Sequence, residues 1–218
     1  MDELLGELEG QKVLDLGCGD GKYGIALLKR GIESYHGIEG SKRMADLAVE
    51  NLAHTNSTIE IGDIEELQFG ATKYDIVVSR LVLHYVEDLA TLMKKVNVCL
   101  KEQGVFVFSV EHPVITSSYE AYHQKAKRGN WIVDDYFNSG ERVNVWLGKE
   151  VIKFHRTLEE YWRIIRDSNF EVIEIRESKP EKSKFTNIEE YERRNRIPLF
   201  LFFKLRKKQV HNKLALKS

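Results

Sequence analysis

Short apolar runs alternate along the chain with longer segments in which apolar residues recur every three or four positions. The short runs have the length and composition of buried strands, and the longer segments have the periodicity of amphipathic helices. Seven of the runs predict strands, at residues 12–16, 33–39, 59–64, 74–79, 105–110, 170–175 and 197–206. Because helical segments separate most of these strands, we expect an α/β fold with a doubly wound, mainly parallel sheet of seven strands.

The region that follows the fifth predicted strand has a different pattern. Residues 142–146 and 151–155 are both strand-like, and a short turn separates them. Residues 138–140, with the sequence Asn-Ser-Gly, predict a further hairpin turn just before them. We therefore expect residues 114–156 to form a small antiparallel β insertion.

Insertions at the carboxyl edge of a parallel sheet often determine which substrate is bound. This insertion carries aromatic and basic side chains that are candidates for substrate contact, namely Tyr119, Tyr136, Trp146, His155 and Arg156. The alternative is that these side chains only hold the insertion together.

Length, charge and cysteine content narrow the class of protein. A chain of 218 residues is typical of one domain, so we treat residues 1–218 as a single domain with the insertion as a cap within it. The net charge of −1 provides no basic field for nucleic acid. No apolar run reaches the roughly 20 residues of a membrane span, and no signal-peptide pattern opens the chain. Cys18 and Cys99 fit no metal-ligand spacing, which favours a reduced cytoplasmic protein without a metal. The sequence carries no oligomer signal, so we expect a monomer or a weak homodimer.

A glycine-rich turn follows the first predicted strand. Gly17, Gly19 and Gly21 stand on alternate positions, and a helical pattern begins at Tyr23. Glycines allow backbone conformations that are closed to other residues, and they let a ligand approach without a Cβ in the way. The N-terminus of the following helix offers unpaired N–H groups. The turn is therefore a candidate nucleotide-binding loop.

The same turn carries a family resemblance. Residues 15–21, Asp-x-Gly-x-Gly-x-Gly, resemble the nucleotide-binding loop of class I S-adenosylmethionine-dependent methyltransferases. Residues 79–88 resemble the small-molecule branch of that family (methyltransferase type 11/25-like), and they lack the Asn/Asp-Pro-Pro-Tyr motif of relatives that modify adenine or glutamine. Residues 108–113, Phe-Ser-Val-Glu-His-Pro, followed by His-Arg-Thr at 155–157, resemble a bacterial subgroup of this branch.

The resemblance implies that the chain binds S-adenosyl-L-methionine and releases S-adenosyl-L-homocysteine. It places the ribose hydroxyls on Glu39, at the end of the second predicted strand, and the adenine amino group on Asp63. The alternative for Glu39 is a charge at the N-terminus of the helix that Ser41 caps. The cofactor-binding residues that the resemblance implies are Asp15, Gly17, Cys18, Gly19, Gly21, Tyr23, Glu39, Gly40, Asp63, Ile64, Ser79 and Arg80. It also implies that the last strand lies antiparallel between the fifth and the sixth.

Other functions are compatible with the loop. Residues 19–24 also match the G-x-G-x-x-G of nicotinamide-dependent oxidoreductases. The carboxylate of Asp15 suits a cationic amino acid, however, and Asp20 would repel a diphosphate, so we favour the methyltransferase. A cofactor-binding protein without turnover, and a turn that only packs helix against strand, are the remaining alternatives. The chain also has fewer residues before its first strand than the family usually carries, which leaves open what covers the cofactor.

The chemistry predicted is an in-line transfer of a methyl group to a small molecule, in which positioning can supply most of the acceleration. The resemblance implies that His112 faces the transferred methyl, and His84 is a second candidate base at the same edge. The alternative for His84 is a structural histidine. We expect an oxygen or nitrogen acceptor rather than carbon, because carbon needs a stabilised carbanion.

Overall fold

The computed structural model describes residues 1–119, 130–146 and 149–209, apart from the side chains of residues 144–149. Its strands are β1 Lys12–Leu16, β2 Ser34–Glu39, β3 Ser57–Ile61, β4 Tyr74–Arg80, β5 Leu100–Glu111, β6 Gly140–Trp146, β7 Lys149–His155, β8 Phe170–Glu177 and β9 Phe200–Lys207. Its α-helices are α1 Asp2–Leu5, α2 Lys22–Leu28, α3 Lys42–Asn51, α4 Leu89–Cys99, α5 Pro113–Thr116, α6 Leu158–Asp167 and α7 Ile188–Arg194. Among these described helices, none is both long and apolar enough to cross a bilayer.

Seven strands form one sheet in the order β3-β2-β1-β4-β5-β9-β8. Strands β1 to β5 are parallel to their neighbours, whereas β9 is antiparallel to both β5 and β8. The strand order reverses between β1 and β4, and ligands of open α/β sheets bind at such a point, outside the carboxyl ends of the strands. The predicted doubly wound sheet and the antiparallel position of its last strand are confirmed.

Alternating side chains of the central strands fill a hydrophobic core on each face of the sheet. On one face Leu14 and Leu16 pack with residues of α4 and α6. On the other face Val13 packs with residues of α1, α2 and α3, including the buried Leu4 and Leu27. Because β1 is covered on both faces, the side chains at residues 13–16 are apolar except for the buried Asp15.

The insertion contains the predicted antiparallel hairpin, in which β6 pairs with β7 from Gly140–His155 to Trp146–Lys149. A buried arginine fastens it. The guanidinium of Arg142 donates hydrogen bonds to the carbonyl oxygens of Ser117 and Asn138, among other backbone groups, at 2.9 and 2.6 Å. An arginine that is buried among backbone carbonyls satisfies its donors without a carboxylate partner.

Several element boundaries differ from the prediction. Strand β5 begins at Leu100 because Gln103 takes a left-handed φ of 64° and an irregularity in the pairing with β4 lets the strand continue. Strand β3 ends at Ile61, so the residues that follow leave the ladder and reach the edge of the sheet. The hairpin turn predicted at 138–140 is wrong: no strand precedes it among residues 130–139, and Gly140 itself opens β6.

Candidate active site

The glycine turn after β1 lies at the point where the strand order reverses. The N–H groups of Gly17 and Cys18 both donate to the carbonyl oxygen of Ile38 at the end of β2, at 2.8 and 3.0 Å. Gly17 has a φ of 78°, and a Cβ at this position would collide with the side chain of Val82. Both the conformation and the space therefore require glycine here.

Glu39 joins the glycine turn to the start of α3. One carboxylate oxygen accepts a hydrogen bond from the N–H of Gly19 at 2.8 Å, and the other accepts from the N–H of Ser41 at 2.8 Å. Ser41 occupies the N-cap position of α3, but its side chain makes no capping hydrogen bond. The alternative interpretation of Glu39, a charge at the N-terminus of this helix, therefore agrees with its hydrogen bond to Ser41. The same carboxylate also faces the cleft described next.

A cleft of about 450 Å³ opens beside the turn. Its polar wall contains Glu39 and Asp63, and its apolar wall contains Ile64 and Val82. The complete lining is Gly17, Glu39, Gly40, Gly62, Asp63, Ile64, Glu65, Val82, Tyr85 and Val86. A mostly apolar cleft with a few convergent polar groups at a sheet edge is the expected form of a small-ligand site. The structure thus brings five of the predicted cofactor residues together: Gly17, Glu39, Gly40, Asp63 and Ile64.

Asp15 lies fully buried beneath the turn. One oxygen of its carboxylate accepts a hydrogen bond from the hydroxyl of Tyr35 at 2.7 Å, and the other, Oδ1, has no hydrogen-bond partner among the described residues. Burial raises the pKa of Asp15 to about 6, while Tyr35 and Arg80 lower it. An unpaired acceptor on a buried acid is the arrangement that a ligand's cationic group would stabilise.

Arg80, at the end of β4, lies flat on the ring of Tyr23, with its guanidinium carbon 3.8 Å from the ring centre. The hydroxyl of Tyr23 in turn donates to Asp2 at 2.8 Å. These two predicted cofactor residues therefore adjoin the turn rather than the cleft lining. An arginine at this edge can bind a carboxylate with two parallel hydrogen bonds.

Cys18 and Ser79 have structural contacts. The thiol of Cys18 is buried against Gly37, and burial raises its pKa to about 12, so it stays a thiol at neutral pH. The hydroxyl of Ser79 donates to the carbonyl oxygen of Leu16 at 2.9 Å, which ties β4 to β1. Gly21 has a φ of 73° where α2 begins, and a Cβ there would press on Ala48 of α3. Their contribution to a ligand site is indirect, because they shape the turn.

His112 follows β5 and is buried. Its Nδ1 accepts a hydrogen bond from the N–H of Val114 at 3.2 Å, which caps α5, and its Nε2 lies 3.0 Å from a carboxylate oxygen of Glu177. Burial lowers the pKa of His112, and Glu177 opposes this shift. The ring therefore carries its proton on Nε2, and the Nδ1 lone pair is already used by the cap.

His84 lies in a single 3₁₀ turn, Leu83–Tyr85, between β4 and α4. Burial lowers the pKa of His84 to about 3, assisted by the cations of Lys153 and Arg156. Its Nδ1 accepts a hydrogen bond from the N–H of Glu111 at 3.3 Å. The ring is consequently neutral at working pH and holds two strand ends together.

Comparison with known proteins decides the family. Residues 14–108 match the family model described as "Methyltransferase domain". A crystallised S-adenosylmethionine-dependent methyltransferase from Mesorhizobium loti is 31% identical, with a TM-score of 0.85, and the alignment covers 94% of this chain and 95% of that one. A Listeria monocytogenes protein assigned to the same enzymes is also 31% identical, with a TM-score of 0.87 and 95% of each chain covered. The chain belongs to the S-adenosylmethionine-dependent methyltransferases.

Among relatives with an assigned reaction, demethylmenaquinone methyltransferase from Staphylococcus aureus is 27% identical over 176 residues, which is 79% of this chain and 73% of that protein. As a member of this family, the methyltransferase described here uses S-adenosylmethionine as its cofactor. Its structure accommodates such a group in two respects: the cleft carries acids at the sheet edge, and the buried Oδ1 of Asp15 lacks a partner among the described residues.

The predicted substrate residues of the insertion are mostly occupied with structural contacts. His155 is fully buried, with Nδ1 2.7 Å from the hydroxyl of Thr116 and Nε2 2.9 Å from the carbonyl oxygen of Tyr136. The guanidinium of Arg156 donates to the carbonyl oxygens of Val86 and Glu87 at 2.7 and 2.6 Å. Both side chains therefore fasten the insertion, and the expectation that His155 and Arg156 contact substrate stays a prediction.

The three aromatic candidates have different positions. The hydroxyl of Tyr136 accepts a hydrogen bond from the N–H of Leu158 at 3.2 Å, at the start of α6. The guanidinium of Arg142 lies over the ring of Tyr119, with its central carbon 3.7 Å from the ring centre. The side chain of Trp146 lies outside the described residues. For Tyr136 and Tyr119 the alternative interpretation, that aromatics hold the insertion together, matches their contacts.

Some residues of the site were not singled out from the sequence. Glu65 accepts hydrogen bonds from the N–H groups of Glu87 and Asp88, at 3.3 and 2.9 Å, and so holds the segment that carries the 3₁₀ turn. That segment supplies Tyr85 and Val86 to the cleft. The family resemblance of residues 79–88 was the available signal, but it does not say which side chains face the ligand.

Proposed function

We propose that this methyltransferase transfers the methyl group of S-adenosylmethionine to a small-molecule acceptor, at oxygen or nitrogen, by in-line displacement. The observation that supports the proposal is the cleft, in which Glu39 and Asp63 face an apolar wall that ends at Tyr85. The demethylmenaquinone methyltransferase among its relatives acts, by its name, on a small molecule, which supports the same acceptor class. A cytoplasmic location accords with this chemistry.

In this proposal each acid has a separate task. Glu39 binds the ribose hydroxyls, and Asp63, with the N–H and side chain of Ile64, binds the adenine. Asp15 and Arg80 meet the charged amine and carboxylate of the amino-acid part. When bound, the cofactor supplies an electrophilic methyl group on a positively charged sulfur. The protein contributes position and removal of water from the reacting atoms.

Neither histidine is required as a base in this mechanism. In the structure His84 is neutral, and His112 uses its free lone pair to cap α5. We therefore propose positioning roles for both, in which they fix the strand ends that border the acceptor. Proton loss from the acceptor then goes to solvent or to a group of the acceptor pocket.

The cofactor part of the proposal is tested by calorimetry with S-adenosylhomocysteine. We expect Glu39→Gln to weaken binding about tenfold or more, because a carboxylate accepts hydrogen bonds that an amide cannot. The matched control is Glu33→Gln, just before the start of β2, where the carboxylate makes an exposed ion pair with Lys12. Unfolding temperatures show whether each variant is folded.

The acceptor part is tested by consumption of methyl donor with a panel of small hydroxylated and amine acceptors. We expect turnover with at least one class and none with Glu39→Gln at matched concentrations. If wild type and Glu39→Gln bind S-adenosylhomocysteine with equal affinity, the cofactor assignment is contradicted. Binding without turnover on any acceptor would contradict the transfer reaction.

A further inference from the structure

An ion pair lies at the carboxyl end of β5, outside the cofactor cleft. The Nζ atom of Lys153, on β7, is 2.6 Å from Oε1 of Glu111, the last residue of β5. Only 6% of the Lys153 side chain is exposed. The pair joins the insertion to the main sheet, at the edge where ligands of such sheets bind.

The other carboxylate oxygen of Glu111 is unusual. Oε2 is buried and has no hydrogen-bond partner in the part of the chain that the structure describes. A buried acceptor without a donor is costly, and each such atom in a native structure calls for a physical reason. A bound ligand with a hydroxyl or N–H donor would satisfy it.

The surroundings of Glu111 connect it to the cleft. The N–H of Glu111 donates to Nδ1 of His84. Tyr85, which follows His84 in the chain, lines the cleft. The ring centre of Tyr85 is 5.6 Å from Nζ of Lys153. Tyr85 is 38% exposed, so its ring is accessible at the rim. An aromatic surface and an unsatisfied carboxylate oxygen therefore adjoin one another.

We propose that Glu111 binds the methyl acceptor, by accepting a hydrogen bond on Oε2 from a hydroxyl of a planar molecule whose ring packs on Tyr85. Lys153 is a positioning residue whose ion pair holds the carboxylate in place. This inference rests on the proposed function, because it identifies the acceptor side of the same site. It assigns an acceptor class: planar, hydroxylated and without need of a second charge.

A purely structural role for the pair is the competing explanation, since Glu111 and Lys153 also fasten β7 to β5. Removing one partner alone leaves the other as a buried unpaired charge, which destabilises a protein whatever its function. The neutral double variant E111Q/K153M avoids this effect, because similar neutral side chains replace both charges. It separates ligand binding from fastening.

The probe is catechol, compared with 1,2-dimethoxybenzene, which has the same ring but no donor. Binding of each to protein saturated with S-adenosylhomocysteine is measured by NMR titration. We expect wild type to prefer catechol by about fivefold or more, because only catechol can donate to Oε2. In E111Q/K153M we expect the two compounds to bind within about twofold of each other. In Tyr85→Leu both should weaken together.

Three results would overturn the inference. The first is that wild type shows no preference for catechol, or does not bind catechol at all. The second is an unchanged preference in E111Q/K153M, and the third, used if the double variant does not fold, is an unchanged preference in E111Q alone. Failure of the proposed function is recognised separately, because S-adenosylhomocysteine would then not bind in the first step. A stable E111Q/K153M that binds S-adenosylhomocysteine normally and loses only the catechol preference supports the inference.

Discussion

Asp15 shows how one buried acid can make cofactor binding depend on pH. Its pKa is raised to about 6, chiefly by burial, so the ligand-free protein begins to protonate it below that pH. The raised pKa means that burial of the ionised form costs stability, and this cost appears as pH rises from 3.8 towards about 6. A cationic amine would favour the ionised form and lower the pKa again.

We therefore predict that S-adenosylhomocysteine binds about tenfold more weakly at pH 5 than at pH 7, and with little change between pH 7 and 8. Calorimetry across this range measures the affinity, and the amine of the ligand stays protonated throughout. Asp15→Asn is the control, and we expect weaker binding with a flat pH profile. A wild-type profile as flat as that of the variant would refute the role of Asp15.

Residue positions at strand ends were predictable, whereas side-chain partners were not. Glu39 and Asp63 follow β2 and β3, and a parallel sheet necessarily brings such ends to one edge. His155 and Arg156 also stand at the end of a strand, β7. Their hydrogen bonds go to Thr116 and to backbone carbonyls, and no periodicity indicates whether a polar group will meet backbone or ligand.

At the scale of elements, the N-termini of two helices give a matched pair for testing. The hydroxyl of Thr157 accepts from the N–H of Glu160 at 3.1 Å, and the Glu160 carboxylate accepts from the N–H of Thr157 at 2.7 Å, which together form a capping box. Ser41 precedes α3 without such a bond, since Glu39 takes the N–H of Ser41 instead.

We predict that Thr157→Ala lowers the free energy of unfolding by about 1 kcal/mol, because α6 loses its cap. Ser41→Ala should lower the free energy of unfolding by at most about 0.3 kcal/mol, since no side-chain hydrogen bond is lost. Urea denaturation followed by circular dichroism measures both. Equal losses in the two variants would show that the hydrogen bond in α6 does not determine the difference.

Hydrophobic periodicity identified the sheet strands and most helices, but it could not set every boundary. Strand β5 extends back to Leu100 because pairing with Tyr74 of β4 stabilises residues whose own sequence favours a turn. Residues 138–140 have turn chemistry without a preceding strand, because the carbonyl of Asn138 bonds to Arg142. At β5 a partner distant in sequence outweighed the local preference.

For the whole molecule, ligand binding and unfolding are linked. We predict that S-adenosylhomocysteine at about 100 times its Kd stabilises the protein by about 2.7 kcal/mol. For a chain of this size that is a rise of about 5–10 °C in Tm. NAD at the same concentration is the comparison, and we expect no shift with it. Differential scanning calorimetry provides both values, and a shift with NAD alone would favour the oxidoreductase interpretation.

The anchoring of Glu39 has a consequence for how the enzyme exchanges its ligands. This carboxylate bridges the N–H of Gly19 and the N–H of Ser41, so contacts within the protein fix its rotamer and the turn. The loop therefore loses little conformational freedom when a ligand binds. We therefore expect product and fresh donor to exchange at a loop that keeps its shape.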